Sequence, residues 1–296
     1  MEQDIGIRPP RYRLPDATRL GSIRLQVGDL ARSLAFYRDV IGMMVIDQIG
    51  ERASLGAHGG SAALVQIVER AGAVSVPRRG RLGLFHFAIL LPNRAALGRL
   101  VAHLSGLGVS MGASDHLVSE ALYLHDPDGL GIEVYADRPR GAWRRNGREL
   151  VMATNTLDTL DLVRAAGDTP WTGMPAGTVI GHVHLHVGDL DEGKAFFHTA
   201  LGLDAMVWSY PGALFLSAGG YHHHLGINTW AGPDAARPQP EDARLLEWEI
   251  LIPTAGDADA AARSIEAAGY AVARGDGGWL IEDPWGTTVR VRGSEG

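Results

Sequence analysis

Ser22–Met43 reads SIRLQVGDLARSLAFYRDVIGM, and His182–Leu203 reads HVHLHVGDLDEGKAFFHTALGL. The two stretches lie 160 residues apart and share VGDL intact, at Val27–Leu30 and Val187–Leu190. A second pair, HFAILLPNRAALGRLVAHLSGLG from His86 and EWEILIPTAGDADAAARSIEAAGY from Glu247, is offset by 161 residues. The chain is therefore a duplicated half of about 160 residues, and such self-similarity has to be recognised before any local pattern is read. Each of the four stretches opens with an alternating apolar strand and passes into a helix. The expected N-caps are Asp29, Asn93, Asp189 and Asp257. Leu34, Tyr37 and Ile41 give one apolar helix face at the 3.6 period. LG, IG or AG ends each helix. Short strands follow in ALVQIVE, ALYLHDPDGLGIEVYA, ALFLSAGGYHHHLGINTW and GWLIEDPWGTTVRVR, with matching turns, DPDG and DPWG, at Asp126 and Asp283. The fold class is α+β, as four βαβββ modules in tandem.

This divides the chain into an arm at 1–20, a first domain of two modules at 21–137, a linker at 138–179, and a second domain of two modules at 180–292. The linker is expected to hold a short amphipathic helix near Leu157–Arg164, and residues 231–244 an exposed Pro-rich loop. Composition narrows the function. With a net charge of -7 and no basic stripe interleaved with aromatics, the surface does not favour nucleic acid or anionic lipid. The chain has no cysteine, which removes disulfides, thiolate metal sites and a cysteine nucleophile. No apolar run approaches a membrane span, and MEQDIGIRPP lacks a signal pattern, so a cytoplasmic location is the default expectation.

FHFAILLP, DHLVSEALYLHDPDGLGIEVYADRP, IGHVHLHVGDL and LFLSAGGYHHHLGINTW together resemble the vicinal oxygen chelate superfamily, which spans glyoxalases, bleomycin-resistance proteins and extradiol dioxygenases. Across nearly all of residues 20–292 the chain is similar to its bacterial two-domain catechol 2,3-dioxygenases. The resemblance implies modules paired into two open β-barrels, with metal ligands on the first and last strands of paired modules. In a first strand the ligand position lies seven residues before the capping Asp of VGDL, which selects Ser22 and His182; the matching positions in modules two and four are His86 and Glu247. The last-strand position, seven residues after the turn Asp, is Glu133 or Arg290. A guanidinium has no lone pair to give a metal. Only modules two and three together supply His86, His182 and Glu133, the 2-His-1-carboxylate set of non-haem Fe(II) oxygenases. Module two is therefore expected to pair with module three, and one with four. In the better-known extradiol enzymes the last two modules pair instead.

Two neutral imidazoles and a carboxylate leave a ferrous ion with a net charge of about +1 and open positions for a catecholate and O2. The implied function is extradiol cleavage of a small aromatic diol by O2, with Fe(II) as cofactor and Mn(II) as the alternative metal. The resemblance also implies that His223 is an acid–base group, that His116 and Tyr123 orient the substrate, and that homo-oligomers are an option. His184, His186 and His224 are candidate substrate contacts. Residues of a strand alternate faces, so His223 and the pair His222 and His224 are expected on opposite sides, with the choice between them open. The bland reading stands beside each candidate: a lone buried histidine is more often a hydrogen-bonded core residue, and a glutamate on a strand is normally solvated. Glu247 and Glu249 are expected to be solvated or paired with Arg290. The competing functions are a glyoxalase-like isomerase or epimerase and a non-catalytic binding protein.

Overall fold

The computed structural model describes residues 5–77 and 79–294; residues 1–4 of the expected arm lie outside that range. Module one runs β1 (Arg19–Val27), α1 (Leu30–Ala35), β2 (Met44–Ile49), β3 (Arg52–Gly56) and β4 (Val65–Glu69). Module two runs β5 (Gly83–Leu90), α2 (Arg94–Gly106), β6 (Gly112–Asp115), β7 (Ser119–His125) and β8 (Gly131–Asp137). The linker carries β9 (Arg145–Asn146), β10 (Glu149–Leu150), β11 (Asn155–Thr156) and the expected short helix, α3 (Thr159–Ala166). Module three follows as β12 (Val179–His186), α4 (Leu190–Gly193), β13 (Asp204–Val207), β14 (Ala213–Ser217) and β15 (Leu225–Asn228). Module four is β16 (Arg244–Ile252), α5 (Ala255–Ala267), β17 (Val272–Gly275), β18 (Gly278–Glu282) and β19 (Thr288–Gly293).

Three helices start where expected: Asp29, Asn93 and Asp189 each accept a backbone N–H from three residues on. The fourth corrects the expectation. Thr254 is the cap of α5, and Asp257 is its capping-box partner, each side chain accepting the other's backbone N–H. Thr-Ala-Gly-Asp carries two capping residues three apart, and the reciprocal bonds need the hydroxyl first. With Thr254 as the cap, Glu247 also falls seven residues before it, so the spacing is uniform in all four modules.

Two sheets result. One has the strand order β17-β18-β19-β16-β1-β4-β3-β2, the other β11-β6-β7-β8-β5-β12-β15-β14-β13. At each centre two first strands run antiparallel, β1 against β16 and β5 against β12. Module one thus shares a sheet with module four, and module two with module three. Alternation explains β12: Val183 and Leu185 face the apolar core, while His182 and His184 take the other face. The helices and sheets share one core, centred on residues such as Tyr37, Phe87, Phe196, Phe197 and Trp248. Among the described residues no helix is long and apolar enough to cross a membrane.

Candidate metal centre

The concave face of the second sheet is built by a register that slips twice. Ile180 faces Ile89 but His182 faces Ala88, so Gly181 is an extra residue in β12. His184 faces His86 but Leu185 faces Leu84, so Phe85 is an extra residue in β5. Bulges of this kind re-aim side chains. Gly181 must be glycine for lack of space: a Cβ there would lie 1.8 Å from the Tyr135 hydroxyl oxygen. The turn at Asp126 fixes the third strand. Its carboxylate accepts the backbone N–H groups of Asp128 and Leu130 at 2.9 and 2.8 Å, and β8 then runs parallel to β5 with Glu133 beside Ala88.

His86, Glu133 and His182 meet as a result, each offering a ligand atom within 4.8 Å of the others. Glu133 Oε2 lies 3.0 Å from His86 Nε2 and 3.1 Å from His182 Nε2, and all three side chains are buried. Burial alone would raise the Glu133 carboxyl; attraction to the His182 and His86 rings, with the His182 hydrogen bond, outweighs it and holds the group well below the usual carboxylate range. Burial pulls His182 down to about 4, against the opposing pull of Glu133. His86 Nε2 is buried without a well-directed hydrogen bond, and so is His182 Nδ1. Converging lone pairs with an orphaned ring nitrogen fit a divalent cation better than a hydrogen-bonded core cluster.

A cavity of about 260 Å³ opens beside these atoms. His86, Glu133, His116, Tyr123, His184 and His223 line it. His116 Nδ1 lies 2.7 Å from the Ala153 carbonyl oxygen and must donate to it, so Nε2 is bare and accepts the Tyr123 hydroxyl at 2.6 Å. Burial, with Glu133 nearby, pushes the Tyr123 hydroxyl well above its ordinary value. His184 accepts from the Asn228 amide at 2.9 Å, and burial pulls it well below the ordinary histidine range. His186 is not part of the lining; its Nδ1 donates to Asn228 Oδ1 at 2.6 Å, and its ring packs at a tilt against Phe85. His224 is held away from the cavity by Ser217, whose hydroxyl lies 2.9 Å from Nδ1. His222, His223 and His224 lie in a bend before β15, not in the strand as expected, and among them His223 alone lines the cavity.

Sequence reasoning missed most of the cavity wall. Met152, Ala153 and Thr154 come from the linker, and Phe85, Tyr210, Phe215 and Trp230 supply aromatic surface. Asn228, which sets both His184 and His186, carried no signal short of the strand register. The position related to Glu133 by the pairing of the modules is Gly226, which faces His184 in register as Glu133 faces Ala88. Gly226 has no ligand to offer, and a Cβ there would lie 2.8 Å from the His184 ring.

The other sheet holds the same positions without a metal set. Arg290 Nε and Nη2 reach Glu247 Oε1 and Oε2 at 2.7 and 3.0 Å, while Ser22 Oγ accepts from Gln66 at 3.1 Å. Glu249 was expected to be solvated or paired with Arg290; although it lies beside Arg290 in the strand register, it bonds Arg292 and the Ser22 backbone N–H, while Arg290 reaches diagonally to Glu247.

Residues 19–134 and 179–291 match the family described as the Glyoxalase/Bleomycin resistance protein/Dioxygenase superfamily. The chain belongs to this superfamily. A Bacillus subtilis (strain 168) member named catechol-2,3-dioxygenase is 45% identical over 271 residues, covering 90% of this chain and 94% of the relative. Maize glyoxalase I has the same fold, with a TM-score of 0.56, 18% identity, and coverage of 93% of this chain and 92% of that one. A crystal structure from Bacillus subtilis subsp. subtilis str. 168 aligns with a TM-score of 0.68 at 15% identity, over 96% of this chain and 87% of its own.

Proposed function

We propose that this superfamily member is a metal-dependent extradiol dioxygenase that opens the ring of a catechol-type substrate with O2. The observation that carries the reading is the buried set of His86, Glu133 and His182 at the edge of an aromatic-walled cavity. These three residues would hold Fe(II), or Mn(II) as the alternative. The bound ion would supply open positions where a catecholate and O2 meet, and a path for electrons between them.

The remaining steps belong to the chain. Phe85, Phe215 and Trp230 offer apolar and edge surfaces to an aromatic ring and displace water. His223 presents Nε2 as the nitrogen left free, since Nδ1 lies 2.7 Å from His222, and it takes a proton from a bound hydroxyl and returns it as the ring opens. The His116–Tyr123 pair orients the diol oxygens: the Tyr123 hydroxyl donates its hydrogen bond to His116, so its oxygen accepts from a substrate hydroxyl. His184 lines the cavity and is proposed as a substrate contact, whereas His186 and His224 act behind the wall.

Gly226 favours this reading over a glyoxalase-like isomerase, whose fourth ligand would come from that partner strand. The relative's name, catechol-2,3-dioxygenase, supports the substrate class. The test is a ring-fission assay. Protein reconstituted with Fe(II) without air receives catechol and then air, while O2 uptake and yellow semialdehyde are followed together. Product that disappears in both H86A and E133A is the expected result. Full product in either variant, or none in the wild type with metal bound, overturns the proposal.

A further inference from the structure

Behind His223 lies a line of groups that the reaction above does not use. His222 is fully buried, with Nδ1 2.7 Å from His223 Nδ1 and Nε2 2.9 Å from Asp137 Oδ1. Asp137 ends β8, on the same strand face as Glu133 and Tyr135, and its side chain is 29% exposed. The Tyr221 hydroxyl donates to the same Asp137 oxygen at 3.2 Å and lies 2.7 Å from the Tyr135 hydroxyl, whose ring packs against His182.

Proton counting gives this line a direction. A carboxylate only accepts, so His222 must carry its proton on Nε2. With one proton per ring, His222 Nδ1 is then bare and can only accept, and the proton between the two rings belongs to His223 Nδ1. His223 Nε2 is left as a lone pair, on a ring that lines the cavity. Which ring nitrogen of a histidine is free is set by the bond the other one makes.

We propose that Asp137, acting through His222, is a positioning residue that locks His223 in the Nδ1–H tautomer and so makes its Nε2 a base. This concerns the imidazole itself; its consequence for catalysis rests on the dioxygenase reading.

The experiment is 15N NMR of ring-labelled histidines in the full-length chain purified without added metal, since bare and protonated ring nitrogens are well separated in shift. Signals are assigned with single His→Gln variants. His198 is an internal control for folding: its Nδ1 lies 2.7 Å from the Leu203 carbonyl oxygen and must be protonated. The expected result is a single Nδ1–H form of His223 in the wild type, a mixture of tautomers in D137A, and the wild-type form in D137N, whose amide oxygen can still accept from His222 and Tyr221. Under the dioxygenase reading, kcat falls at least tenfold in D137A with KM little changed, and D137N recovers most of it. A wild-type His223 protonated on Nε2, an imidazolium at His222, or an unchanged tautomer in D137A with the His198 signal intact would overturn the proposal. An inactive wild type with the predicted tautomer would instead refute only the dioxygenase reading.

Discussion

Replacing Arg290 with alanine tests whether the two sheets use the same strand positions in opposite ways. In one sheet those positions converge lone pairs; in the other, a bidentate Arg290–Glu247 pair joins β19 to β16 with side chains 14% and 12% exposed. Removing one partner of a buried pair costs about 3–5 kcal/mol, because a charge is left without its partner. Here the loss is smaller. Both groups keep some solvent, and Arg24 Nη2, 3.5 Å from Glu247 Oε1, still compensates in part. R290A should therefore lose about 2–3 kcal/mol, while R290L/E247L, which removes both charges and keeps apolar volume, should recover most of it. Urea unfolding of the metal-free chain measures the stability of each variant, and metal binding is measured alongside. A loss below about 0.5 kcal/mol in R290A, or equal losses in the single and double variants, would show that the pair does not hold the sheet. Altered metal binding in R290A would show that the two sheets are not independent.

Two further outcomes follow from the geometry. G181A drives a methyl into the Tyr135 hydroxyl and breaks its bond to Tyr221; we expect a loss of about 2–3 kcal/mol in thermal or urea unfolding, and metal affinity at least tenfold weaker as His182 shifts. Burial pushes the Asp283 carboxyl up to about 6, against backbone bonds from Thr287 and Trp285. A folded value above the unfolded one means stability that is fully present below about pH 4 and lost as pH rises to about 6, amounting to about 3 kcal/mol. D283N keeps the acceptor oxygen and has no proton to lose, so its stability relative to wild type should improve by up to that amount between about pH 4 and 7; no pH dependence in the difference would refute the burial argument.

The parts of the molecule legible in its sequence are those where one residue type is decisive. Repeats placed the strands, and the identity of Ser22, Arg290 and Glu247 eliminated three of the four module pairings, leaving the one that brings β5 beside β12. What the sequence left open depends on where backbones cross. The bulges at Gly181 and Phe85 are pairing events between strands far apart in the chain, so Phe85 could not be placed on the cavity side. Met152–Thr154 reach the cavity because the linker folds back over β6, an arrangement with no periodic signature. The resemblance pointed to His223, but alternation left the choice among the three histidines open, and it could not decide because the segment is a bend and not a strand. The Asp137–His222 contact joins two modules that only the sheet register brings together.

We propose that the chain holds one metal, through His86, Glu133 and His182. Anaerobic calorimetric titration with Fe(II), with Mn(II) as a second probe, tests it most directly. One site per chain is expected, abolished in E133A and in H86A and unchanged in R290A. Two sites, none, or a site that survives E133A would contradict it.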